Sequence, residues 1–360
     1  VLVGHYAGQY MVGTEATHVG KSAGQYASGS RNTFVGSAAG KGGTTSAPYS
    51  SGEENTAMGY LALTNFTTGG SNTAIGRKAL EDVTSGGYNV AIGNEAGLNL
   101  TTGGENVIVG ISAGGNTTDV DKAVLIGGGA GTGVLTSAAD GIVLIGYTAG
   151  ASITSGNANV AIGYEAMKVH TTGHSNIAIG YEAMDDTDAG STSSDSDHNL
   201  AIGVNAMGGT WANAKSENNI AIGNNTMDGA LNTAHYNMAL GHYVLTNITE
   251  GNSNIGIGWA AAENITTGDS NIIIGRQAGD SLTTKSGMIA IGGGALGAVS
   301  TTGGDYTIAI GHGAMGGATI GDGNIAIGYQ SMANANASGF HRNTAVGYQT
   351  MANVGSNSAD

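Results

Sequence analysis

Residues 159–184 read NVAIGYEAMKVHTTGHSNIAIGYEAM, and within them NVAIGYEAM returns 17 residues on as NIAIGYEAM. That separation is too short for a domain and too long for a helical heptad. Continued along a chain, it is the mark of stacked structural repeats. It does continue. Aligned on the glycine that closes each apolar triplet, the chain holds twenty copies from Gly4 to Gly347, most of them 17 residues apart. Three intervals are longer, at 23, 23 and 20 residues. Residues 1–360 therefore read as a single repeat domain with insertions at about 41–54, 185–198 and 208–218.

The unit is N-x-A-I-G-x-x-A, then Met, Leu or a small residue, then a polar stretch that often ends in T-T-G. The triplet before the glycine, as in Val90-Ala91-Ile92 or Ile177-Ala178-Ile179, has β-branched residues at alternate positions and is predicted to be a short strand. A second short strand is expected around the alanine that follows, such as Ala79, Ala96 or Ala166. Glycine and asparagine recur too often for a helix, and the apolar spacing does not follow 3.6. Two strands and two turns per repeat describe one coil of an all-β, parallel β-solenoid. Coils spaced by about 4.8 Å would stack into a rod on the order of 95 Å long. Inward Val, Ile and Met are expected to fill a thin core, which leaves Ala and Gly on the other strand face for a second chain to approach.

Stacking in register aligns like with like. Asn stands four residues before the closing glycine in fourteen copies, Asn159 and Asn176 among them. Its amide can bond to the same group in neighbouring coils, and Asn also tolerates the left-handed backbone of a tight turn. Tyr147, Tyr164 and Tyr181 follow the closing glycine in successive coils and read either as a stacked aromatic ladder or as a saccharide-binding strip. Met167 and Met184 belong to a series read as core packing.

Composition narrows the function classes. With 66 Gly, one Pro, no Cys and 5% aromatic residues, the chain does not resemble an ordinary globular enzyme. Eleven Lys and Arg against 26 Asp and Glu give a formal charge of -15, which argues against nucleic acid as a partner. No apolar run approaches the roughly 20 residues of a membrane helix, so this segment is not expected to insert in a membrane. Gly20-Lys21-Ser22-Ala23-Gly24 and Gly110-Ile111-Ser112-Ala113-Gly114 match the G-x-S-x-G nucleophile elbow, but at one and the same phase of the repeat. The G-x-G-x-x-G strings at Gly292 and Gly311 likewise open no helix. No catalytic residue, cofactor or metal site is assigned, and His170 and His174, flanking a T-T-G turn, are read as solvated.

The N-x-A-I-G-x-x-A repeats resemble the head repeats of YadA-like trimeric autotransporter adhesins, and units such as NTAIGRKALEDVTSGG (72–87) are similar to the repeat shafts of bacteriophage tail fibres, marine ones especially. The resemblance covers essentially the whole chain. It implies a left-handed β-roll in each chain, a homotrimer, and a place on a virion or cell surface. The coiled-coil stalk, membrane anchor and chaperone domain of those families are not in these residues. Val1 falls inside a repeat and is not Met, so a processed or partial segment is expected. The expected function is a tail-fibre shaft engaged in host attachment, with a bacterial adhesin head or other surface filament as the alternative. A more distant alternative is an ice-binding solenoid, suggested by the paired threonines.

Recognition is expected where insertions leave the rigid coil, at a receptor that includes glycans among its forms. The first insertion carries Pro48 and Tyr49; the second carries Asp185, Asp186, Asp188, Asp195 and Asp197; the third carries Trp211. The second and third lie in consecutive coils and should emerge side by side, as a contact surface or as a solvated bulge. No calcium-loop motif accompanies the aspartates.

Overall fold

Each apolar triplet forms a short strand, and within Val1–Asn176 and within Ile177–Asp360 each strand lies parallel and in register on that of the next repeat. The structure is a computed structural model, describing residues 1–187, 196–211, 215–298, 305–319, 321–335 and 340–354. The chain divides into two units, Val1–Asn176 and Ile177–Asp360. The first contains ten strands, β1 (Leu2–Val3) through β10 (Val160–Ile162), and the second ten more, β11 (Ile177–Ile179) through β20 (Thr344–Val346). Pairing is between sequence neighbours, as where Thr73, Ala74 and Ile75 oppose Val90, Ala91 and Ile92, or Ile289, Ala290 and Ile291 oppose Ile308, Ala309 and Ile310. This is a parallel β-solenoid of about twenty coils, with no α-helix among the described residues.

The expected second strand is absent. Lys78 and Leu80, on either side of Ala79, have φ of 59° and 51°, and left-handed residues at alternate positions cannot extend. The segment still bonds to its neighbours: the Lys78 N–H donates to the Tyr60 carbonyl of the preceding coil at 2.8 Å, and the Leu80 N–H to the Ala96 carbonyl of the following one at 3.0 Å. Coil-to-coil hydrogen bonding is thus kept without strand geometry.

The strands also face the other way from the expected one. Ala74, Ala91 and Ala161, the middle residues, are fully buried, whereas the Val and Ile on either side point outward. The reason is room. The strand's middle residue shares its space with the residue four after the closing glycine, which in many coils is large and buried, as Leu63, Leu80, Met167 and Met184 are. Where the strand's middle residue is itself large, as at Phe34, Leu144 or Ile273, that turn position is Gly40, Gly150 or Gly279. A Cβ on Gly40 would stand 2.4 Å from the Phe34 ring, and one on Gly150 would stand 2.6 Å from Leu144 Cδ2. Where both positions are small, as at Ala91 and Gly97, Leu80 and Ile108 of the neighbouring coils reach into the space, as close packing requires. Met167 and Met184 are fully buried in the core.

The asparagines form a buried ladder. In the first unit the Asn72 N–H and Nδ2 both donate to Asn55 Oδ1 at 3.0 and 3.2 Å, and Nδ2 also donates to the Gly86 carbonyl at 2.9 Å. The Asn176 N–H donates to Asn159 Oδ1 at 2.8 Å. The left-handed residue is not the asparagine but the one before it, such as Ser71 or Tyr88 with φ of 58° and 61°. Asn is there for its amide. The T-T-G turns add a staple, because Thr67 Oγ1 donates to the Thr84 carbonyl at 2.9 Å and Thr84 Oγ1 to the Thr101 carbonyl at 3.1 Å.

Candidate interaction surface

Because alanine turns inward, the β-branched residues of each strand line up on the outside in two columns. Ile92 is 40% exposed, and Val107, Ile177, Ile272 and Ile327 are comparably open. These side chains stack on their counterparts one coil away, so each column is continuous within its unit. The strand face spans about 50 Å² per coil, or on the order of 500 Å² per unit, from strand rise and spacing alone. That falls within the roughly 300–600 Å² of the largest apolar patch on a typical soluble monomer, a patch that is often functional. The pattern reads as alternation in the sequence, but not which side of it faces water.

Exposed tyrosines flank this face. Tyr147 and Tyr164 stack at 5.4 Å between centroids in the first unit, and Tyr329 and Tyr348 at 5.2 Å in the second, where His312 extends the stack at 5.7 Å from Tyr329. Tyr181 takes the same place after the closing glycine of its coil and is also exposed. A stacked ladder is therefore present, with each ring's outer edge in solvent.

The first insertion folds back onto the solenoid. Tyr49 stacks with Tyr10 at 4.9 Å and Tyr26 at 6.1 Å, Tyr10 and Tyr26 stack at 5.3 Å, and Pro48 stands exposed beside them. The second and third insertions meet at their bases. The Trp211 backbone N–H donates to the Asp186 carbonyl at 3.1 Å, and the Thr210 hydroxyl donates to the Asp186 carboxylate. Asp188 and Asp195 lie outside the described residues.

Two of the expected contact residues are interior. Trp211 is 1% exposed, so its ring packs in the core instead of protruding, and its Nε1 has no hydrogen-bond partner among the described residues. Asp197 is 4% exposed and pairs with Lys215 Nζ at 3.1 Å, which also holds Glu217 at 2.8 Å. His170 is buried as well, with Nε2 2.9 Å from the Gly173 carbonyl, because its turn folds inward; His174 is exposed as expected. Ser22 and Ser112 of the G-x-S-x-G strings occupy left-handed turn positions with φ of 55° and 53°.

Asp185 and Asp228 flank Gly208, where a Cβ would stand 3.2 Å from Oδ1 of each. Burial pushes both carboxyls up to about 6, and at Asp185 the negative charges of Glu182, Asp186 and Asp228 add to it. The folded chain therefore favours their protonated forms. Their stabilising contribution is complete below the ordinary carboxyl range near 4 and is lost as pH rises through about 6. Asp185→Asn with Asp228→Asn should raise stability at neutral pH by on the order of 1–2 kcal/mol, allowing for solvent screening of half-buried groups. Denaturation midpoints at about pH 4 and pH 7 check this; the variant's pH dependence between them should be flatter than the parent's. Among the described residues no group of three or more His, Asp or Glu is placed to hold a metal ion.

Coil and surface together define the class: a parallel β-solenoid with an open aliphatic strand face. No protein-family model matches the chain, and no curated protein matches it.

Proposed function

We propose that the chain is a non-enzymatic structural and adhesive protein, a homotrimer in which three copies lay their aliphatic strand faces together as left-handed β-rolls. The observation that carries the proposal is the pair of outward Val and Ile columns. The occupant suited to such a face is a second copy of the chain, because only a partner with the same repeat stays in step with it coil after coil. Burying it would remove the apolar liability of both surfaces at once.

The role that fits is the shaft of a bacteriophage tail fibre at the virion surface, acting in host attachment, with a bacterial adhesin head as the alternative. The tyrosine group at Tyr10, Tyr26 and Tyr49 and the joined bases of the second and third insertions are the places where a host receptor would be met. An ice-binding face is disfavoured, since the first threonine of each pair spends its hydroxyl on the next coil, as Thr67, Thr84 and Thr101 do.

Sedimentation velocity of the chain tests the assembly. A trimer is expected, and Ile92→Lys with Val109→Lys should shift it to monomer while the circular dichroism of the coil stays unchanged. A parent that sediments as a monomer at micromolar concentration would sink the proposal.

A further inference from the structure

An open trough of about 680 Å³ runs along one edge of the first unit, across the coils from Glu53 to Asp121. Its floor is bare peptide. At Gly70, Gly87 and Gly104 a Cβ would stand 2.9, 3.0 and 2.9 Å from a carbonyl oxygen of the preceding coil, so no side chain fills the channel. On one side of this glycine column lie Thr68, Ser85 and Thr102, all exposed. They are the second members of the turn pairs, not the threonines whose hydroxyls staple the coils. On the other side are Glu105 and Tyr88, the latter 71% exposed. Arg31 closes one end, paired with Glu53 at 2.7 Å and Glu54 at 3.0 Å. Asp121 lines the other end, its Oδ1 accepting the Gly104 N–H at 2.6 Å.

We infer that this trough binds a linear oligosaccharide that is uncharged or bears amino groups, laid along the coil axis. Four coil spacings give a channel of about 19 Å, long enough for an oligosaccharide and longer than one sugar needs. The volume lies within the roughly 300–1,000 Å³ of small-molecule sites. Hydroxyls repeating once per coil offer donors and acceptors in step along a polyhydroxylated chain. Tyr88 supplies one apolar ring with a polar tip, suited to the weakly apolar face of a pyranose. Charge decides among sugars. Glu53, Glu54, Glu105 and Asp121 face the ligand against the single cation Arg31, so acidic glycans are repelled, while sugar hydroxyls and ammonium groups find charged acceptors. A fatty or aromatic ligand would meet no apolar floor.

The glycan's source, a host surface, rests on the attachment reading, but the trough itself does not depend on the trimer. The full chain is titrated calorimetrically with a glucosamine tetramer, an N-acetylglucosamine tetramer and a galacturonate tetramer, and the same sample is sedimented. Binding of the amino tetramer, weakened by salt, with weaker binding of the N-acetyl form and none of the uronate, is expected. Tyr88→Asn should lower the affinity at least tenfold with an unchanged melting curve, because Asn accepts the left-handed backbone at this position better than Tyr does. Failure of both neutral and amino tetramers to bind, equal binding of the uronate, or full affinity in Tyr88→Asn would each overturn the inference. Sedimentation reports the assembly separately, so either idea can fail alone.

Discussion

Gly127→Ala is expected to be among the most damaging single substitutions in the chain, while Gly128→Ala beside it should be close to neutral. Gly127 closes its strand with φ of 132°, a conformation that side chains rarely adopt. Its Cα also faces the closing glycine of the next coil. A Cβ there would stand 2.2 Å from the Gly146 oxygen and 2.6 Å from its carbonyl carbon, both backbone atoms with no rotamer to yield. Strained backbone costs about 1–3 kcal/mol and overpacking another 1–3, so a loss of about 2–5 kcal/mol follows. At Gly128 the nearest atom is Tyr147 Cδ2 at 3.5 Å, an ordinary contact, and the change should stay within about 0.5 kcal/mol. A repeat array need not unfold in two states, so local stability is best read from hydrogen exchange across residues 107–163. Equal protection in the two variants would show that the glycine-on-glycine approach does not limit stacking.

Asn89→Ala should cost about 2–4 kcal/mol, although it removes no charge and little volume. The Asn89 side chain is fully buried and joins three coils. Its Nδ2 donates to Asn72 Oδ1 at 3.1 Å and to the Gly103 carbonyl at 2.9 Å, and its Oδ1 accepts the Asn106 N–H and Nδ2 at 3.1 and 2.9 Å. Alanine would leave those groups facing a dry interior, and each unsatisfied one costs about 1–3 kcal/mol, softened where the coils relax. The surface amide of Asn94, whose Oδ1 accepts from Arg77 at 3.1 Å, is the control: Asn94→Ala should change stability by less than about 0.5 kcal/mol. The comparison is made on chemical denaturation midpoints together with exchange at the Asn106 amide. Unprotected exchange there in Asn89→Ala, with the parent pattern in Asn94→Ala, is the expected signature.

Some elements are fully legible in the sequence. The strand triplets, the asparagine column and the positive φ of the closing glycine follow from periodicity, because in-register stacking lets a residue type act only by repeating. Others were misread for a common reason. A second strand around Ala79 was a fair expectation from composition, but the alternating left-handed residues at Lys78 and Leu80 are compatible with many side chains and leave little trace in sequence. Trp211 and Asp197 were placed outside because they fall in insertions, and an insertion's length does not say which of its residues fold back. The sequence does carry one signal of which positions share the interior. Large middle residues such as Phe34 and Leu144 always travel with a glycine six residues on, Gly40 and Gly150, and that pairing already marks the two positions as sharing one interior.

The 17-residue period alone establishes a stack of parallel coils, since nothing else lets short identical strands satisfy their backbone above and below. Which strand face is interior was settled by three-dimensional packing. Alternation divides Thr73, Ala74 and Ile75 between two sides with no preference for either, and the choice falls to the cross-section, where Leu80 has already taken the room. Alanine is what remains to fit inside. The branched residues are left on the surface, and the trough beside Tyr88 opens where glycine columns from separate coils happen to align.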